Sequence, residues 1–152
     1  MAAVSAWVGS LAVIALGLSA GAMLAEAAVL VPYWRSLPPD AFLTWYRDNA
    51  SLLFDFFAPL ESASAALAIA AAILHRIGRL SGAGLFAVSA VLSAAVLGFF
   101  PLYFQQVNES FAAGTLVPDR VAEELARWAR WHWSRTAIGI GAFAAAAFAA
   151  RR

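Results

Sequence analysis

Eight polar or aromatic side chains in a very apolar sequence carry the groups that could do chemistry: Glu26, Asp55, Glu61, Asn108, Trp128, Trp131, His132 and Arg135. His132 follows Trp128 by four residues and precedes Arg135 by three, so on a helix the three share one face. A histidine so placed is a general base for an acidic O–H or C–H proton. An arginine with an asparagine nearby would stabilise the oxyanion that proton loss leaves behind. A histidine with two carboxylates, here His132 with Glu26 and Glu61, also begins an iron, manganese or copper site. There is no cysteine, which excludes disulfides, thiolate metal sites and cysteine nucleophiles. The other histidine, His75, stands beside Arg76 at the end of an apolar run and is expected to be solvated at an interface.

The elements that must position these groups are membrane spans. The chain has 152 residues, 63% of them hydrophobic and 12% charged, with a mean hydropathy of +0.77, a composition outside that of ordinary soluble domains. Apolar runs predict spans at Ala6 to Val31, Ser51 to Leu74, Leu85 to Phe104 and Trp131 to Ala150. The first basic residue is Arg35, and the first run is long, so it reads as a span rather than a cleaved signal. Between the first two spans, Pro32 to Asn49 contains three prolines and an aromatic stripe of Phe42, Trp45 and Tyr46. That pattern predicts a break followed by a short amphipathic helix lying at the membrane surface. The last element, Pro118 to Ala150, is charged in its first half and apolar in its second. At about 1.5 Å per residue it is far longer than the roughly 30 Å hydrocarbon core, so it is expected to extend out of the membrane. The fold class is therefore all-α: a single-domain integral membrane four-helix up-and-down bundle.

Antiparallel spans place Glu26, Asp55, Glu61, Asn108, His132 and Arg135 in the same half of the bilayer. A charge at the centre of a span costs on the order of 2.5–3.5 kcal/mol on insertion scales, so these groups are expected to face inward and to pair. Arg135 would take Glu26 or Glu61 as a bidentate partner. Asp55, at the very start of its span, is expected to face headgroups. The same cluster would also serve as a purely structural staple registering four helices.

Asn108, followed after a linker by Trp128, His132 and Arg135 entering the last span, gives the pattern N…W-x-x-x-H-x-x-R. This resembles the small four-helix membrane proteins grouped with the fungal anthrone oxygenases. The resemblance implies oxygenation of a polycyclic phenolic anthrone to a quinone, with Asn108, Trp128, His132 and Arg135 as site positions, of which Asn108, His132 and Arg135 would be catalytic. Trp128 and Trp131, with Glu26 and Glu61 added from depth, would then hold the substrate. A carbanionic substrate of that kind reacts with oxygen without a cofactor; otherwise a single transition metal is expected.

Two functional readings remain open on sequence alone. One is an oxidoreductase acting on a lipophilic aromatic or quinone-like molecule. The other is a non-enzymatic membrane module, a proton-coupled carrier or partner subunit, whose Glu, His and Arg cluster is a relay or a staple. The expected partners are the lipid bilayer and a lipophilic small molecule, with no nucleic acid. Gly17 and Gly21 form a GxxxG pair that would allow a homo-oligomer. Arg76, Arg79, Arg151 and Arg152 on the terminal side favour cytoplasmic termini, in the inner membrane of a bacterium.

Overall fold

The structure, a computed structural model, describes residues 2–152. It consists of four long helices: α1 (Ala2–Ser36), α2 (Pro39–Ile77), α3 (Ala83–Ala113) and α4 (Pro118–Ala149). No strand occurs among the described residues. α1, α2 and α3 are each long and apolar enough to cross a membrane. α4 lies outside that set; its middle carries both His132 and Arg135. Proline opens α2 at Pro39 and α4 at Pro118, where its missing N–H has no helical partner to lose.

Three interior prolines do not end their helices. Ahead of Pro32, α1 widens into a π-helical segment, Glu26–Leu30, in which the Val31 N–H bonds to the Glu26 carbonyl. α1 then continues to Ser36. Pro101 sits in a second π-helical segment, Phe100–Phe104, through which α3 passes on to Ala113. Pro59 lies within α2. A π turn rearranges carbonyl pairing locally, so each of the first two prolines is absorbed instead of breaking the rod.

The segment Pro39–Asn49 is accordingly not a separate short surface helix, as the sequence suggested, but the first turns of α2. Phe42 and Tyr46 of its aromatic stripe are buried, not spread on a membrane surface. The Phe42 ring meets Phe111 edge-on at 5.0 Å, and Tyr46 meets Trp34 at 5.7 Å. Rings of this size each bury some 150–250 Å² of surface, which explains why they choose one another over an interface.

Two cores result. One is aromatic and gathers Trp34, Phe42, Tyr46, Phe104, Phe111, Val121, Leu125 and Trp128. The other is small-residue packing of Ala12, Ala68, Ala71, Ala142, Ala146 and Ala149 around Leu16 and Phe86. Small side chains let these helices approach closely, and hydroxyls bond across them, Ser64 to the Ala15 carbonyl at 3.0 Å and Ser89 to that of Ala142 at 2.8 Å. His75 belongs to this second core and is buried, contrary to its expected solvation. Its Nδ1 donates to the Ala71 carbonyl at 2.9 Å, and its ring lies 4.4 Å from Phe86. Local satisfaction of one nitrogen makes that burial tolerable. Of the GxxxG pair, Gly17 faces the Phe143 ring inside the bundle, whereas Gly21 has open space before it.

The turn between α2 and α3 ends on Gly82, at φ +83, where an added Cβ would lie 2.6 Å from the Ala149 carbonyl oxygen. Gly82→Ala is expected to destabilise the fold by at least the cost of left-handed backbone, about 1–2 kcal/mol. Thermal unfolding in detergent micelles will read this as a lowered Tm; an unchanged Tm would show that the turn does not press on the end of α4.

Candidate functional site

A cavity of about 670 Å³ opens between α2 and α3, a volume within the range of small-molecule pockets. α2 lines it with Tyr46, Ala50, Leu53, Phe54, Phe57, Ala58, Glu61 and Ser62. α3 contributes Leu97, Phe100, Pro101, Gln105, Asn108, Glu109 and Ala112. The back wall comes from the other two helices, as Glu26 of α1 with Trp128 and Arg135 of α4. Both π-helical segments border this space, because Glu26 begins one and Phe100 and Pro101 begin the other. Interrupted α register at a site wall is a recurrent use of the π turn.

The polar groups at the back are paired, in an arrangement that differs from the one expected. Arg135 Nη2 donates to Glu61 Oε1 in a buried ion pair joining α4 to α2. Among the described residues this is the one hydrogen bond Arg135 makes, so the fork is not bidentate, and Arg135 Nε is buried without a partner there. The guanidinium carbon instead stands 5.1 Å above the Phe104 ring, a favourable cation–π placement. Glu26 pairs with His132 rather than with Arg135: Glu26 Oε2 lies 3.5 Å from His132 Nε2. The same nitrogen is 3.0 Å from the Met23 carbonyl oxygen. A carbonyl only accepts, so Nε2 carries the hydrogen, with Met23 as the near acceptor and Glu26 as the longer one. His132 Nδ1 is buried with no partner.

Asn108, Trp128 and His132 form a second line of contacts. Trp128 Nε1 donates to Asn108 Oδ1 at 2.9 Å. An indole nitrogen can only donate, which fixes the amide orientation and leaves the Asn108 NH₂ group to the cavity. The Trp128 ring stacks on His132 at 4.8 Å and 21°. The W-x-x-x-H spacing thus places an indole plate over the imidazole, and Asn108 holds the plate. His132 is 0% exposed and is absent from the cavity wall. The carboxyl presented to the cavity next to it is that of Glu26.

Of the residues singled out in the sequence, Glu26, Glu61, Asn108, Trp128 and Arg135 converge on one cavity, with His132 directly behind. Trp131 does not join them. It is 39% exposed and stacks on Tyr103 at 4.9 Å, whose hydroxyl donates to Glu124 at 2.7 Å. Asp55 is exposed and off the cavity wall. Among the described residues no group of three or more His, Asp or Glu side chains could hold a metal ion. His132, Glu26 and Glu61 therefore do not make the ligand set considered from sequence, because Glu61 is taken up by Arg135. The apolar walls escaped the sequence reading. Their signal was Ala50, Phe54, Phe57, Ala58 and Glu61 recurring on one face of α2.

Removing one partner of a buried ion pair strands the other and costs about 3–5 kcal/mol, whereas an apolar pair of similar size is often tolerated. Glu61→Met or Arg135→Met alone is therefore expected to lower the unfolding midpoint sharply, and the double variant to regain most of it. Additive losses in this double-mutant cycle would show that the pair does not bind α2 to α4. No protein-family model, curated protein or solved structure matches the chain.

Proposed function

We propose that the protein is an integral membrane oxidoreductase that oxidises a lipophilic aromatic molecule in the cavity between α2 and α3. On this reading all four helices cross the bilayer as an up-and-down bundle. The two cores support that topology, since Val31–Tyr46 and Phe104–Ala129 meet in one and Ala12, Ala68, Phe86 and Ala149 in the other. The Ser81 hydroxyl donates to the Arg152 carbonyl at 2.7 Å, which keeps the chain end beside the α2–α3 turn. The unaccompanied arginines there favour a cytoplasmic terminal side.

One observation carries the functional reading: a mostly apolar cavity ends on a carboxyl, a guanidinium and a carboxamide from three different helices. Aromatic walls suit fused rings, and the three polar groups suit a hydroxyl or carbonyl at one edge of such a ring system. Glu26 is the base that removes a proton from a methylene flanked by aryl rings and activated by a ring carbonyl. The negative charge spreads onto that carbonyl oxygen, where Arg135 and the Asn108 NH₂ group stabilise it. The carbanion then reacts with molecular oxygen. One oxygen atom ends in the new carbonyl and the other leaves in water, so CH₂ and O₂ become C=O and H₂O without an external reductant. His132 acts through Glu26, holding the carboxyl from behind, and Trp128 seals the imidazole from the cavity.

Oxygen consumption and quinone absorbance with 1,8-dihydroxyanthrone in proteoliposomes test this assignment. Glu26→Gln is expected to lower turnover by about 10²–10⁴-fold while the anthrone still binds. His132→Ala should also abolish most turnover in a protein that remains folded. Full activity in either variant would sink the assignment, and tight binding without any consumption by the unmodified protein would favour the non-enzymatic carrier.

A further inference from the structure

We infer that the cavity is filled sideways, from the hydrocarbon of the bilayer, through a slit between α2 and α3 framed by Phe54 and Phe100. The inference rests on the membrane reading above and narrows the ligand to a sparingly water-soluble aromatic amphiphile that reaches its site from dissolved lipid rather than from water.

The walls set the direction of the opening. The long sides of the cavity belong to α2 and α3, and its back belongs to α1 and α4. Its open side is therefore lateral, between two neighbouring helices. Entry along the bundle axis is blocked, because Trp34, Phe42 and Phe111 fill that end at 1%, 0% and 0% exposure. At the slit, the Phe54 and Phe100 rings lie 5.9 Å apart from opposite helices, and Phe54 is 56% exposed. The outward faces of the two helices beside it are apolar as well: Leu52 and Phe56 of α2 and Leu102 of α3 are all exposed. Large exposed side chains on the flanks of a cavity mouth suit lipid chains and not water.

Depth agrees. Counting from Ser51, the first residue of the expected span, Phe54 lies roughly 5 Å inside the hydrocarbon and Glu61 roughly 15 Å, near the midplane. Asp55, exposed on the adjoining face of α2 and by the same count roughly 6 Å in, is level with Phe54, and its carboxylate, reaching outward towards the headgroups, marks the upper edge of the slit. At the opposite, polar rim Gln105 and Glu109 of α3 bond to each other at 3.3 Å. A ring system entering below the headgroups would slide between Phe54 and Phe100, rest against Phe57 and Leu97, and bring its oxygen-bearing edge to Glu26 and Arg135. Lateral entry also keeps bulk water from the buried charges, where it would weaken their interactions.

The absence of cysteine makes the test direct. Nitroxide labels on single variants F54C, S62C and E109C, in phosphatidylcholine vesicles, report contact with lipid-soluble oxygen and with a water-soluble nickel chelate. Labels at positions 54 and 62 are expected to relax with oxygen and to be shielded from nickel, and the label at 109 to show the reverse. Nickel contact at 62 would mean an aqueous cavity and overturn the proposal. A bismaleimide bridge across F54C/F100C is then expected to slow uptake of lipid-dissolved 1,8-dihydroxyanthraquinone by about tenfold or more, read through quenching of tryptophan emission, to which Trp128 at the cavity wall contributes. Unchanged uptake with binding intact would overturn the lateral route and leave the proposed chemistry standing. Failure of the quinone to bind the unbridged protein would count against that chemistry, and the label contacts at 54 and 62 would then decide the route alone.

Discussion

Arg135 is a permanent cation buried in the middle of a bundle whose other buried polar groups are mostly hydroxyls, and its need for an anion organises the molecule. Glu61 supplies that anion from α2, so the ion pair ties the second and fourth helices at one level. Phe104 of α3 lies under the guanidinium and adds the third helix to the same point. Glu26 of α1 is left without the arginine and turns to His132 instead. Two carboxylates thus share one arginine and one histidine between them, so α1, α2 and α4 each contribute a group that would be costly to leave alone, and α3 contributes the ring beneath them.

What surrounds this centre differs on its two sides. Towards the termini the helices pack through alanines, with serine hydroxyls bonded across to backbone carbonyls. Close approach there leaves little void; behind Glu61 a space of only about 10 Å³ remains, edged by Ser19, Ser64 and Ser93. On the other side large rings meet edge to face around Trp34. Bulky rings hold helices further apart than alanines do, and the cavity lies where the packing changes from one regime to the other. The π-helical segments of α1 and α3 fall at that same level. Prolines at positions 32 and 101 would disturb a regular helix there, and the extra residue of each π turn accommodates the ring without ending the rod.

The aromatic end also accounts for the length of the helices. α2 has 39 residues and α4 has 32, more than the roughly 20 a bilayer needs. The surplus of all four helices is joined in one aromatic core, so the part beyond the expected spans is packed structure and not a solvated overhang of α4. Exposed pairs such as Arg120–Glu123 and Arg127–Glu123 clothe its outer face, where each contributes little to stability.

Sequence alone determined the helical class, the three helices long and apolar enough to cross a membrane, and the convergence of Glu26, Glu61, Asn108, Trp128 and Arg135. These follow from apolar run length and from the alternating direction of successive spans, which are properties of the chain read in order. The pairing was not legible. Depth places Glu26 and Glu61 equally near Arg135, and only the rotation of each helix about its axis decides that Glu61 takes the arginine and Glu26 the histidine. Rotation likewise turned Trp131 outward onto Tyr103 and set His132 behind Trp128, off the cavity wall. The aromatic stripe of Pro39–Asn49 has the same spacing whether it lies on lipid or in a core. Trp34, Phe104 and Phe111 are distant in sequence, and only the assembled bundle brought them to it.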